Sequence, residues 1–200
     1  MLEAKLVVHI HSYWHAGTGR GRGGLVHALV RKDHRGLPYL PGRSLKGLLR
    51  DAVLRATTWG HLDKDRLEGW FGSDPETARG KPLETQPGAL AVGDACLPKQ
   101  DAAYLSSRPG KILRPLLFRH LQVTAMDERT GAAKDGALRT MEVTLPLRLE
   151  ANLGESLPGK LEPFPNWVAE LRPCLALIRA VGGDRNRGLG RATLKLEERS

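Results

Sequence analysis

Leu37-Pro-Tyr-Leu-Pro-Gly-Arg-Ser-Leu-Lys-Gly-Leu-Leu-Arg50 is the stretch whose reading decides the fold. Two prolines and a glycine close a short extended segment, and a helical pattern begins directly after them. Ser44 is a residue of the N-cap type. Leu45, Leu48, Leu49, Ala52, Val53 and Ala56 then recur at the spacing of one buried helix face. Lys46 and Arg50, four residues apart, share a flank of the first turns, and Asp51 and Arg55 form a surface pair. Gly60 supplies a stop. A helix placed here needs a sheet to cover, and strand patterns stand on both sides of it.

Upstream, residues 3–13 alternate. Leu6, Val8 and Ile10 share one face, and Lys5, Val7, His9 and His11 share the other. A glycine-rich loop follows, His15-Ala-Gly-Thr-Gly-Arg-Gly-Arg-Gly-Gly24, and Leu25 to Val30 reads as a second strand. Downstream, residues 60–120 are aperiodic and rich in Pro and Gly, with one strand at Ala89 to Cys96. Leu121, Val123 and Ala125 alternate, as do Val143, Leu145, Leu147 and Leu149. The polar run from Asp127 to Gly136 between them reads as the tip of a long hairpin or projecting arm. Asn166 can cap a helix, but Pro173 would kink or split it, so a short turn to Arg172 and a helix from about Pro173 to Val181 are expected. Ala192 to Glu197 alternates and forms the last strand. The fold class implied is α+β: a ferredoxin-like βαββαβ core with helices on one side of an antiparallel sheet. A single domain is expected over residues 1–200, with an irregular insert at about 60–120 and a hairpin at about 120–150.

The composition bounds the function. The chain has 200 residues, 40% of them hydrophobic, enough for a real core. Its formal net charge is +9, carried mostly by arginine, so an anionic partner is expected. Cys96 and Cys174 stand alone, without a CxxC pair, which argues against a cysteine zinc site and suits a reducing cytoplasm. No run approaches the roughly 20 apolar residues of a membrane span, and no secretory leader pattern opens the chain. No metal and no cofactor is expected.

Three constellations carry chemistry. Val181-Gly-Gly-Asp-Arg-Asn-Arg-Gly-Leu-Gly-Arg191 packs four glycines and three arginines into eleven residues. Such a loop offers close backbone approach and fixed positive charge to a phosphate chain. A helix cap would account for Gly182 or Gly183 but not for Arg185, Arg187 and Arg191, nor for Gly188 and Gly190. The first loop brings His15, Thr18, Arg20 and Arg22; it reads either as an RNA-facing loop or as a plain hairpin loop. It is not a P-loop, since no Gly-Lys-Ser/Thr follows. Arg43, Ser44, Lys46 and Arg50 surround a helix N-terminus, which favours an anion, or else form a solvated face. His9 and His11 share a strand face without a neighbouring carboxylate or cysteine and are read as surface residues. His15, beside Tyr13, permits general-base attack by an RNA 2′-OH.

These pieces resemble a known family. Residues 37–50 resemble the signature "PYIPGSSLKGxxR" of the RAMP superfamily of CRISPR-associated proteins, and residues 182–191 resemble its C-terminal Gly-rich loop. Trp70-Phe-Gly72 with Gly88-Ala-Leu-Ala-Val-Gly-Asp-Ala95 is similar to the "FG … GxLxxxDA" stretch of the type III effector backbone subunits. Met126 to Val143 is similar to their "IDRxTGxAxxGxLxxxE" stretch. The resemblance implies an RRM-like domain that stacks with neighbouring RAMP subunits along a CRISPR RNA in a cytoplasmic effector complex, with no membrane partner. It implies that both Gly-rich loops and Arg43, Lys46 and Arg50 hold guide phosphates. It places Met126, Asp127, Arg129 and Thr130 in a thumb-like hairpin lying across the guide–target duplex, so complementary target RNA is a second partner. In slicing relatives an aspartate follows the first loop; here Val26 stands in its place, with Asp33 as the nearest acid. Two rivals remain: a RAMP endoribonuclease with His15 as base, and a scaffold whose basic loops bind proteins.

Overall fold

The computed structural model describes residues 3–21, 26–73, 86–124, 126–127, 129–133 and 136–198. Its first strand, β1 (Ala4–Ile10), is paired on both edges. On one side lies β5 (Arg148–Glu155), with Leu6 opposite Ala151; on the other lies β6 (Ala192–Glu198), with Leu6 opposite Leu196. A short strand, β2 (Leu90–Val92), pairs with the far edge of β5, giving the order β2-β5-β1-β6 with every neighbour antiparallel. α1 (Gly42–Thr58) carries the chain from β1 to β2, and α4 (Trp167–Cys174) carries it from β5 to β6. Each β-α-β unit therefore leaves a gap that a strand of the other fills, which is the ferredoxin-like arrangement.

The alternation of β1 sets which face is buried. Leu6, Val8 and Ile10 join Leu149, Ala151, Leu153, Leu194 and Leu196 under the helices. From α1, Leu45, Leu49 and Val53 are fully buried against them. Each such side chain contributes about 1.5–3 kcal/mol of transfer free energy. In α4 the buried residues are Trp167, Val168, Leu171 and Cys174, a helical stripe.

Several elements differ from the sequence expectation. α4 begins before Pro173 and contains it: the apolar stripe fixes the helix at 167–174, and the proline falls in its last turn, ahead of a 3-10 turn at Leu175–Leu177. The stretch expected to be irregular holds α2 (Lys64–Phe71) and α3 (Lys99–Ser106), each eight residues long and weakly amphipathic. Leu25 to Val30 is no strand in its described part. Its residues make single bridges, Val30 to Gly17 and Ala28 to Met141. The hairpin consists of β3 (Phe118–Val123) and β4 (Arg139–Thr144) alone. The run from Val143 to Leu149 divides at Leu145-Pro-Leu147, where proline withholds an N–H from the ladder. Arg148 onward joins the main sheet. α1 starts at Gly42, with Pro41 at the cap, so Ser44 sits in the first turn.

Candidate nucleic-acid interface

The C-terminal loop is stitched to the chain that leaves β1. The Val181 N–H donates to Gly190 O (2.8 Å) and closes the loop. Gly190 N–H donates to Tyr13 O and Gly183 N–H to His15 O, both at 2.7 Å. Arg191 N–H donates to Ser12 Oγ (3.0 Å), and that hydroxyl donates on to Gly188 O (3.2 Å). Two glycines are set by space as well as by conformation. A Cβ on Gly190 (φ +70°) would meet Val181 O, and one on Gly182 (φ +82°) would lie 2.6 Å from His15 O. Arg185, Arg187 and Arg191 are exposed. Arg187 lies 4.0 Å from Asp184, a loose pair that contributes little.

The first loop forms a ribbon with the segment that follows it. Thr18 N–H donates to Leu29 O, Leu29 N–H to Arg20 O, and Arg31 N–H to Ala16 O. Arg20 is exposed; Arg22 lies outside the described residues. The ribbon brings up Arg31, a residue that periodicity alone did not single out, because its position depends on pairing with Ala16.

At the start of α1, the Gly42 N–H donates to Asp94 Oδ1 (2.7 Å), so an acid of the chain already holds that helix end. Lys46 is half-buried and donates to Leu90 O (2.8 Å). Burial pulls its pKa below the ordinary lysine value. The "PGRSLKG" and "GALAVGDA" stretches thus bind each other. Arg43 and Ser44 remain exposed, and Arg50 is half-buried.

The two loops and α1 converge on a cleft of about 300 Å³ whose wall includes Gly17, Arg31, Ser44, Gly182 and Arg185. It joins two of the three constellations and the edge of the third. Arg43, Lys46, Arg50, Arg187 and Arg191 do not line it. A second hollow continues past Leu48 and Arg185 to Arg179.

The weak catalytic candidates are placed as follows. His15 is only 7% exposed, and its Nδ1 lies 2.7 Å from Glu142 O. A carbonyl can only accept, so Nδ1 carries the hydrogen and Nε2 the lone pair. A Cβ on Gly17 would lie 2.8 Å from Nε2, so the glycine leaves room beside that atom. Asp33 accepts from the N–H groups of Arg35 (2.8 Å) and Leu37 (2.9 Å) and from Arg35 Nε (2.9 Å). Burial pushes the Asp33 carboxyl up, but the Leu37 and Arg35 donors together hold it below the usual aspartate value. It lies outside the cleft wall. Val26 is buried.

In the hairpin, Met126 is 62% exposed and bridges to Ala133. Asp127 Oδ1 accepts from the N–H groups of Arg129 and Thr130, each at 3.0 Å, and from the Thr130 hydroxyl at 3.1 Å. Arg129 and Thr130 are exposed beside it.

The open face of the main sheet carries Lys5, Val7, His9, Arg148, Glu150, Asn152, Thr193 and Lys195, in register across three strands. His9 is the one aromatic ring among them and none is Phe, Tyr or Trp, so the paired stacking rings of the RRM kind are missing from these positions. Among the described residues no three His, Cys, Asp or Glu side chains gather as a metal site, and no helix is long and apolar enough to cross a membrane.

Comparison with known proteins agrees with this geometry. The family model "RAMP superfamily" matches residues 8–193. The solved structure "Cryo-EM structure of the Type III-B Cmr-beta bound to cognate target RNA" contains a chain similar at TM-score 0.72 and 12% identity, covering 97% of this chain and 96% of that one. A chain of "Type III-B Cmr-beta Cryo-EM structure of the Apo state" is similar at TM-score 0.68 and 13% identity, with coverage of 97% and 96%. No curated protein matches the sequence.

Proposed function

The chain belongs to the RAMP superfamily, and from that premise we propose that it is an RNA-holding subunit of a type III-like CRISPR effector ribonucleoprotein. In this role it grips the guide, and the guide–target duplex, by the backbone. The observation that supports the reading is the cleft whose wall joins Arg31 and Arg185 with glycines of both loops and the start of α1. Guanidinium groups make forked, charge-assisted bonds to phosphate oxygens, and the bare glycine walls let a sugar–phosphate chain approach closely. Such contacts position a strand without reading it; sequence is left to base pairing. Arg20, Arg43, Arg187 and Arg191 extend the positive surface outside the cleft, and the β3–β4 hairpin acts as the thumb lying against the duplex. Neighbouring RAMP subunits complete the groove. The chain is a holder and not a slicer: Val26 offers no acid, and the Asp33 carboxylate is occupied by its own turn.

Gel-shift titration with a CRISPR RNA over a range of salt concentrations tests this. Arg31→Ala and Arg185→Ala are each expected to weaken binding about tenfold, the worth of one charge-assisted hydrogen bond of about 1.5 kcal/mol. Each should also reduce the salt slope by about 0.7. Lys46→Ala should leave the slope unchanged and lower stability instead, because its ammonium serves Leu90. Wild-type affinity and slope in both arginine variants would sink the reading.

A further inference from the structure

A second basic hollow, of about 500 Å³, lies between the segment 110–120 and the turn at 32–36. This is a common size for a small-molecule site. Its walls combine two kinds of group. Lys32, Arg35, Lys111, Arg114 and His120 are basic, and Pro115 and Phe118 offer ring faces. Several cations are fixed in advance. Arg114 Nε donates to Leu105 O and its Nη1 to Arg35 O, both at 2.6 Å. Lys32 Nζ sits 2.7 Å from Glu142 Oε1 and 3.9 Å from the centre of the Phe118 ring. Lys111 and His120 are exposed at the rim. The two acids nearby, Glu142 and Asp33, are already engaged by Lys32 and by Arg35.

We infer that this hollow is a second RNA contact, seating one nucleotide of a single strand with its base against Phe118 and Pro115 and its phosphate toward Lys111 and His120. Cations beside ring faces are the features that sequence-tolerant single-strand binding uses. The site is distinct from the first cleft. Arg31 lines that cleft and Lys32 lines this hollow, and neighbouring residues of an extended segment point to opposite faces. Glu142 stands between the two: its carbonyl holds His15 under the first loop, and its carboxylate holds Lys32. Strands in the two sites are therefore separated by the thickness of one ribbon of chain.

The inference rests on the RNA-holding reading, and one experiment separates their failures. The full chain is photo-crosslinked to a 4-thiouridine single-stranded RNA, and crosslinked peptides are mapped by mass spectrometry. Crosslinks near Phe118 should persist in the double variant Arg31→Ala/Arg185→Ala. They should fall at least fivefold in Lys111→Ala/His120→Ala and in Phe118→Leu, while crosslinks at the first cleft remain. Crosslinks confined to the first cleft would overturn the second site and keep the first. No crosslink anywhere in the wild type would overturn both. RNA affinity and Phe118 crosslinks insensitive to all the substitutions at this hollow would end the proposal.

Discussion

Gly42 is the residue on which the reading of the signature turns. A Cβ there would lie 2.3 Å from Val92 O and 2.8 Å from the Gly93 backbone. β2 cannot retreat, because Leu90 and Val92 are paired with Glu155 and Leu153 of β5. The glycine therefore serves the packing of helix on strand, as does Lys46 one turn later. Gly47, five positions on, has nothing within 4 Å of its Cβ site. The two glycines should respond oppositely to alanine. Gly42→Ala should lower stability by about 1–3 kcal/mol through overpacking. Gly47→Ala should raise it by roughly 0.5–1 kcal/mol by removing backbone entropy inside a helix. Urea unfolding measures both as midpoint shifts at constant m. Equal effects of one sign would mean that helix propensity, and not contact with β2, governs this turn.

At the scale of elements, the hairpin and the cleft differ in how local their causes are. The tip is organised by Asp127 alone. The Thr130 N–H, the Thr130 hydroxyl and the Arg129 N–H hold its carboxyl below the usual aspartate value. A depressed pKa means that the ionised form orders the turn at neutral pH, and that the order is lost as pH falls through that lowered value. The amides of Arg129 and Thr130 should accordingly shift and exchange faster in NMR spectra taken below the ordinary aspartate range. Asp127→Asn should keep the turn and abolish its pH response, whereas Asp127→Ala should lose it at every pH. Amides that ignore both pH and Asp127→Ala would remove the carboxylate from this role. The partners of the Asp127 carboxylate lie within three residues of it, a local pattern of the kind that a polar turn shows in sequence. The stripe of α1 and the alternation of β1 were readable for a similar reason, since each repeats a local period. α4 lies earlier than the expected 173–181 because Pro173 falls in its last turn without breaking it, and the apolar spacing from Trp167 to Cys174 is the stronger cause. The cleft was legible only in parts. Its two loops announce themselves by glycine and arginine, but Asp94 on Gly42, Leu90 on Lys46 and Ala16 beside Arg31 are contacts between distant segments. No period in the sequence encodes them, so Lys46 was assigned to phosphate and Arg31 was passed over.

For the whole molecule, the open question is whether holding RNA is joined to cutting it. Cutting needs a group that can take a proton or ligate a metal within reach of the held strand. Asp33 is engaged by its own turn, whose Leu37 and Arg35 donors hold it below the usual aspartate value, so at neutral pH it is a weak base. The Glu142 carbonyl engages His15 Nδ1, and the ring, 7% exposed, keeps its remaining Nε2 largely shielded from solvent. His15 is placed to shape the first loop, and Asp33 the turn at 33–37 that borders the second basic hollow. Their substitution should therefore register as stability. Asp33→Asn is expected to cost about 1 kcal/mol, since two N–H donors would keep an acceptor and only the ionic part is lost. That cost should shrink as pH falls through the lowered Asp33 pKa, because the wild-type carboxylate then loses its charge as well. The chain assembled with its guide and a complementary target should bind and leave the target intact, with magnesium or with EDTA. Target cleavage that disappears in Asp33→Asn while binding persists would make the chain a slicer with a relocated acid. Metal-independent cleavage of precursor RNA that disappears in His15→Ala would make it a processing nuclease. Binding without product in either assay, together with the Asp33 stability change, is the outcome that the packing around both residues requires.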